Sequence, residues 1–266
     1  MKTVVFQSYR TSNVPPWISM CLRSVNEWSS SQGFDYQFID DRLFDYVPSW
    51  YRSKVNNNMC LVTDLARLVL AEELLQQGYE RTIWVDADVL IFEPNAFSID
   101  ITDGFAFCRE LWLGQRQFMK WRLWRPTFVK AINNSISIFT KGTSFLPFYI
   151  EACKMMVRSK EVLRPYDVST DFLTTLYKYI KFPVLEDVGI FSTPLLCAVA
   201  MGKNTTIRGY MRKHNTYLHA VNLCSSLEEV SFRNSIMLKR TADLSAYVSV
   251  VQKLLETKGA IINRFL

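Results

Sequence analysis

Short apolar runs of strand length alternate with longer stretches whose apolar positions recur at helical spacing. Lys2 to Gln7 reads as a first strand. Pro15-Pro16 breaks the chain, and Trp17 to Trp28 reads as an amphipathic helix. Tyr36 to Ile39 is a second short strand, ending in Asp40-Asp41. A helix is predicted from about Asp64 to Gln77, with Thr63 as N-cap and Gly78 as the C′ stop. Tyr79-Glu80-Arg81 turns into a third strand. Further on, Gly104 to Phe107 and Ser135 to Phe139 read as strands. Phe145 to Arg158, Thr170 to Tyr179 and Asp243 to Lys258 read as helices. This alternation predicts an α/β fold with a mostly parallel central sheet flanked by helices. In such sheets ligands bind beyond the carboxyl ends of the strands.

The third strand carries the chemistry. In Ile83-Trp84-Val85-Asp86-Ala87-Asp88-Val89-Leu90-Ile91-Phe92, two carboxylates interrupt an otherwise apolar run. In an extended chain, side chains two apart point the same way, so Asp86 and Asp88 are expected on one side. A buried carboxylate costs several kcal/mol unless it is paired. A bound cation is one remedy for two such groups, and oxygen ligands suit hard ions such as Mn²⁺ or Mg²⁺. An ion with so few protein ligands keeps positions that a diphosphate fills. The alternative is a strand that stops at Val85, followed by a solvated turn.

Composition changes this picture little. The 266 residues, 49% apolar, suffice for a sizeable core, and no stretch reads as a linker or repeat, so a single domain over 1–266 is expected. The N-terminal apolar run is too short for a secretion signal, and no run suffices for a spanning helix. A cytoplasmic location is therefore expected. The six cysteines form no Cys-x-x-Cys pair, which argues against structural zinc and for reduced thiols. The net charge of +6 favours anionic partners. Basic and aromatic residues interleave from Arg109 to Lys130: Arg116, Lys120, Arg122 and Arg125 with Trp112, Trp121 and Trp124. Such mixing suits sugars, phosphates, nucleic-acid bases or peripheral contact with a membrane surface, or else a partly packed helix with solvated Arg heads.

These features, in this order, resemble glycosyltransferases of the GT-A fold, a nucleotide-sugar-binding α/β domain. The motifs are Pro15-Pro16-Trp17, Tyr36 to Asp41, Asp64-x-x-Arg67, the Asp86-x-Asp88 (DXD) tripeptide and Asn133-Asn134. The likeness is to family 32, the DXD sugar transferases, and to family 8, and it spans roughly residues 2 to 220. Gly78 stands alone where family 32 has a Gly-Gly pair, and the longer spacing before Trp84 is nearer family 8.

The resemblance implies a set of roles. Tyr9 would stack near the base of the donor. Asp64 and Arg67 would hold donor-sugar hydroxyls; three apart on a helix, they are otherwise a surface ion pair. Trp84 would also belong to the donor site. Asp86 would contact the donor's ribose or sugar and reach the metal, and Asp88 would ligate it directly. Asn133 or Asn134 would face the sugar near the reaction centre, unless both merely shape a turn. Asp171 would face the reactive carbon, unless it is simply a favourable carboxylate at a helix N-terminus. Of the two histidines, His219 would be the late third metal ligand, although the residues that usually follow it are replaced here by Asn222-Leu223-Cys224-Ser225-Ser226.

The expected activity is metal-dependent transfer of a hexose from a UDP- or GDP-sugar to a saccharide or other hydroxyl acceptor, with retention of configuration. Two rivals stand beside it. A sugar-phosphate nucleotidyltransferase would call for a Gly-rich loop after the first strand, but Gln7-Ser8-Tyr9-Arg10-Thr11 has no glycine. A catalytically silent carbohydrate- or nucleic-acid-binding module would show no metal dependence. Nucleic acid is not an expected partner.

Overall fold

The computed structural model describes residues 1–56, 58–118, 123–225 and 244–266, and, within the two long strands below, no side chains for 115–118 and 123–125. Its main sheet has six strands: β1 (Thr3–Ser8), β2 (Asp35–Ile39), β3 (Arg81–Val85), β5 (Phe105–Phe118), β6 (Leu123–Thr140) and β7 (Val184–Leu185). They lie in the order β2-β1-β3-β6-β5-β7. All pairings are parallel except those that β6 makes with β3 and β5. The expected α/β architecture with a mostly parallel central sheet is met.

Alternation along the strands explains the two packed faces. On β1, Val4 and Phe6 point to one face, joined by Trp84 of β3 and Ile132 and Phe139 of β6. Helices α3 (Met59–Gln76) and α4 (Phe145–Ser159) cover that face. Val5, Ile83, Val85, Ile136 and Ile138 point to the other, under α1 (Pro16–Ser31) through Val25 and Trp28. Both faces are dry, which is what a parallel sheet needs.

The central helix is longer than its pattern suggests. It starts at Met59, where the side chain of Asn58 accepts from the Cys60 N–H at 3.2 Å, so Thr63 is not the cap. Gly78 does follow the C-cap with φ of 105°, as expected of a C′ glycine. The helix is buried nearly all round, and its core-facing residues include Asp64 and Arg67.

A second, three-stranded sheet orders β4 (Val89–Ile91), β9 (Ala220–Asn222) and β8 (Val188–Ile190) as β4-β9-β8. It packs with α1 against α6 (Thr193–Ala200), α7 (Asn204–His214) and α8 (Leu244–Thr257). Neither α6 nor α7 was anticipated from the sequence. The chain ends in a turn of helix, α9 (Ala260–Asn263), entered through Gly259 at φ of 75°.

Gly259 is fixed by packing as well as by conformation. A Cβ there would meet the Phe92 ring at 2.2 Å, and Phe92 is itself fully buried. Gly259→Ala is therefore expected to add left-handed strain of about 1–2 kcal/mol to the clash. Thermal unfolding should show a Tm lower by at least about 4 °C; an unchanged Tm would refute the packing described here.

Candidate functional site

Strands β1, β2 and β3 run parallel, so their carboxyl ends share one edge of the sheet. Tyr9, Asp40 and Asp86 follow those ends. Tyr9 is half-buried there, its backbone N–H on the Ile39 carbonyl at 3.3 Å and the Arg10 guanidinium over its ring at 5.4 Å.

Strand β3 stops at Val85, and Asp86 to Asp88 forms a turn closed by the Val89 N–H on the Asp86 carbonyl at 3.1 Å. Strand alternation therefore does not relate the two acids, contrary to the extended reading. The turn is nevertheless buried, because β4 resumes at once and pairs with β9. Asp88 is only 8% exposed. Its Oδ1 accepts from Asn222 at 3.2 Å, and its Oδ2 accepts from the Ser225 N–H and Oγ at 2.7 and 2.8 Å. Asn222 also reaches toward Asp86 Oδ2 at 3.5 Å, so one amide spans both carboxylates.

Asp86 is braced from below. Its Oδ1 accepts from the Trp84 indole at 2.6 Å and from Arg67 Nη1 at 3.0 Å. Arg67 lies one helical turn from Asp64 on α3, pairs with its carboxylate, and donates to the Asn134 carbonyl at 3.1 Å. Asp64 in turn accepts from Asn134 Nδ2 at 3.1 Å. The alternative of a surface pair is thus excluded: both side chains are about 5% exposed. Their hydrogen bonds go to each other, to Asn134 and to Asp86, beneath the carboxylate edge. Trp84 is likewise buried, and its ring packs edge-on against Phe6. These residues support the acids rather than presenting a free polar edge.

The asparagines owe their place to a slip in register. Cys108 pairs with Asn133, yet Ala106 pairs with Ile138, so β6 places residues 134–137 opposite Phe107 alone. Such a bulge re-aims side chains locally. The bulged Asn134 carbonyl is satisfied by Arg67 and by Ser137 Oγ at 3.0 Å. Asn134 is buried on Asp64, whereas Asn133 is partly exposed and donates to Glu110 Oε2 at 3.0 Å. Glu110, on β5, has its carboxyl pushed up by burial, with the charge of Asp171 adding to the effect. Asp171 itself is exposed in the first turn of α5 (Thr170–Tyr179) and pairs with Arg164 at 2.8 Å.

His219 is set apart from the acids. It precedes β9, its Nδ1 is 3.0 Å from Asp187, and its carbonyl accepts from the Phe92 and Glu93 N–H groups at the far end of β4. At about 3.3 Å per residue, that is roughly 10 Å along the strand from Asn222. Asn222, Ser225 and Glu110 are the site residues that pattern reading missed. The six spaced cysteines form no disulfide with one another, as expected. Among the described residues, no helix is long and apolar enough to cross a membrane. Lys120, Trp121 and Arg122 lie outside the described residues, as do the side chains of Arg116, Trp124 and Arg125; the rest of the basic–aromatic segment belongs to β5 and β6, so the alternative of a packed helix does not hold there.

The electrostatics follow from this crowding. Burial pushes Asp86 up to about 7; Arg67 and Trp84 pull it down and Asp88 pushes it up further. The Cys224 thiol, between Asn222 and Ser225 and in the left-handed region at φ of 53°, is raised by burial and then by Asp88, Glu110 and Asp86. Asp64 and Asp86 thus share Arg67, and Asp88 lies beside Asp86 through Asn222. Among the described residues, no group of three or more His, Cys, Asp or Glu is arranged to hold a metal ion.

No family model matches the chain, and no curated protein does. Among solved structures, it is similar to a glycosyltransferase involved in glycosylation of the major capsid of PBCV-1, at 12% identity and a TM-score of 0.45, covering 85% of this chain and 94% of that one. It is also similar to the PaToxG glycosyltransferase, at 14% identity, a TM-score of 0.39, and coverage of 97% and 87%. A mannose-1-phosphate geranyltransferase from Thermus thermophilus follows at 12% identity, a TM-score of 0.31, and coverage of 69% and 73%. Likenesses this low bear on neither activity nor site residues.

The raised Asp86 makes a pH prediction. Between its ordinary value of 3.8 and about 7, the folded chain keeps a proton that the unfolded chain has released. Stability is therefore lost as pH rises through that window and is flat above it. Asp86→Asn, whose Oδ1 can still accept from Trp84 and Arg67, should gain on the parent as pH rises. A three-unit shift is about 4 kcal/mol in full; with a side chain 29% exposed, about 1–2 kcal/mol is expected. Melting curves from pH 5 to 8.5 check this: a difference in Tm that does not grow with pH refutes it.

Proposed function

We propose that this chain transfers a hexose from a UDP- or GDP-sugar to a saccharide or other hydroxyl acceptor, with retention of configuration and with the help of Mn²⁺ or Mg²⁺. One observation carries the reading: two carboxylates are held side by side in a buried turn at the carboxyl end of a parallel strand, one of them raised to about 7. Ligands of open α/β sheets bind at that edge.

The donor set fits a hard cation. It offers carboxylate oxygens and, among the described residues, no imidazole or thiolate partner in hydrogen-bond contact with them, which favours Mn²⁺ or Mg²⁺ over softer metals. Asp86 and Asp88 would hold the ion, and the donor diphosphate would complete its shell. When bound, such an ion neutralises charge on the departing nucleotide, a contribution of several kcal/mol. Arg67 and Trp84 fix the Asp86 carboxylate in place, while Asn222 and Ser225 do so for Asp88. Tyr9, at the same edge, supplies an aromatic face for the base. Asn133 would face the sugar near the reaction centre and Asp171 its reactive carbon, and the order of acids, asparagines and Asp171 supports retention by resemblance.

A thermal-shift screen of UDP- and GDP-sugars with and without Mn²⁺ tests the reading. A ligand at 100 times its Kd should stabilise by about 2.7 kcal/mol, a rise of several degrees. The rise should need both Mn²⁺ and the matching donor. Asp88→Asn is the variant to use, because it keeps the shape on which Ser225 and Asn222 rest. It should abolish the metal-dependent part of the shift and of turnover. Full metal dependence in that variant would refute the assignment, and anomer-resolved NMR of the product decides retention.

A further inference from the structure

Glu110 stands out among the groups that the proposed chemistry does not use. It is a carboxylate on the central sheet, only partly exposed, and its partner is a neutral amide. Asn133 Nδ2 holds its Oε2 at 3.0 Å. Among the described residues no cation pairs with it, although Arg109, its neighbour in sequence, is turned instead to Glu186 at 2.9 Å. Its Oε1 has no protein donor among the described residues and is not among the buried polar atoms left without a partner. One oxygen is thus anchored and the other open.

Its surroundings say where the open oxygen lies. Glu110 is within electrostatic reach of Asp171 on one side and of Cys224 on the other. Cys224 is also in reach of Asp86 and Asp88, and it sits between the two residues that hold Asp88. Asn133 adjoins Asn134, whose amide and carbonyl hold Asp64 and Arg67, so Glu110 lies beside the residues that brace the acids. Asn133 is opposite Cys108 in regular antiparallel register, which makes its amide the diagonal neighbour of Glu110. A carboxylate that served packing alone would be expected to have its charge paired, since burial without pairing is costly.

We propose that Glu110 is the acceptor-binding carboxylate: its open oxygen accepts the hydrogen bond of the attacking hydroxyl and orients that oxygen toward the sugar, with Asn133 as the positioning residue that fixes its rotamer. The inference rests on the glycosyl-transfer reading of the site. It names the acceptor's chemistry as a neutral hydroxyl donor, because an anionic acceptor would be repelled by Glu110, Asp86 and Asp88 together.

Glu110→Gln tests it. The amide oxygen can still accept from Asn133, so the fold is kept, but the open side then presents N–H groups where an acceptor is needed. The probes are methyl glycosides of glucose, galactose and mannose, with Mn²⁺ and the nucleotide sugar that the thermal-shift screen selects. Expected in Glu110→Gln are an unchanged Tm, an unchanged Mn²⁺-dependent donor shift, and kcat/KM for the glycoside lower by about 100-fold or more. Asn133→Ala should lose less, and the double variant should be no worse than Glu110→Gln alone, because Asn133 acts through Glu110. Transfer within threefold of the parent, or additive losses in the double variant, overturns the proposal. If the parent itself shows no donor-dependent shift, the donor-site reading fails instead, and this role with it.

Discussion

Arg67 is the residue on which the site depends. A guanidinium in the protein interior needs acceptors, and although the Nε of Arg67 has none among the described residues, its two terminal nitrogens have three: the Asp64 carboxylate, the Asp86 carboxylate and the Asn134 carbonyl. These come from α3, from the turn after β3 and from the bulge in β6. This cation therefore ties together a helix, a turn and an irregular strand, in addition to the apolar packing of α3 on the sheet. Removing one partner of a buried pair typically costs about 3–5 kcal/mol, because the other is left charged and unmatched. A lysine has no planar fork and could not meet three acceptors from three directions.

The irregularities of the fold have one purpose in common. β6 slips against β5 where it also pairs with β3, and that slip turns the Asn134 carbonyl toward Arg67. The chain leaves the main sheet at Val85 and starts the small one at Val89, and the turn between them holds both acids. β9 then returns along β4, which sets Asn222 opposite Val89 and hence beside Asp88. The polar residues sit where regular pairing fails, and the dry faces of the sheet hold those failures in place.

What the sequence disclosed, it disclosed through pattern. The apolar run broken by Asp86 and Asp88, and the helical spacing of Asp64 and Arg67, are periodic signals, and both led to the centre of the site. The signal could not say that Asp64 and Arg67 lie under the acids, because a pair three apart looks the same on a buried helix as on an exposed one. Nor could it find Asn222 and Ser225. β9 is three residues long, so its pairing with β4 is a tertiary fact with no local trace. His219 drew attention as a rare residue of the right chemistry, but the antiparallel register of β4 and β9 places it at the wrong end. Glu110 lay inside a segment read for its basic and aromatic residues, and its contact with Asn133 depends on a strand register that composition does not reveal.

The site also carries a cost that a purely structural role would not explain. Burial, with the charge of Asp88 adding to it, leaves Asp86 raised to about 7, so part of its stabilising potential is lost at neutral pH. An apolar replacement of the acids would pack as well without that penalty. The way the charge is steadied matters here. Asn222 lends N–H to Asp88 and toward Asp86, and Ser225 adds two donors to Asp88, all of them neutral. Neutral donors fix Asp88 without cancelling its field, whereas Arg67 offsets part of the field of Asp86. The charge kept at Asp88 is the feature on which the proposed cation site rests.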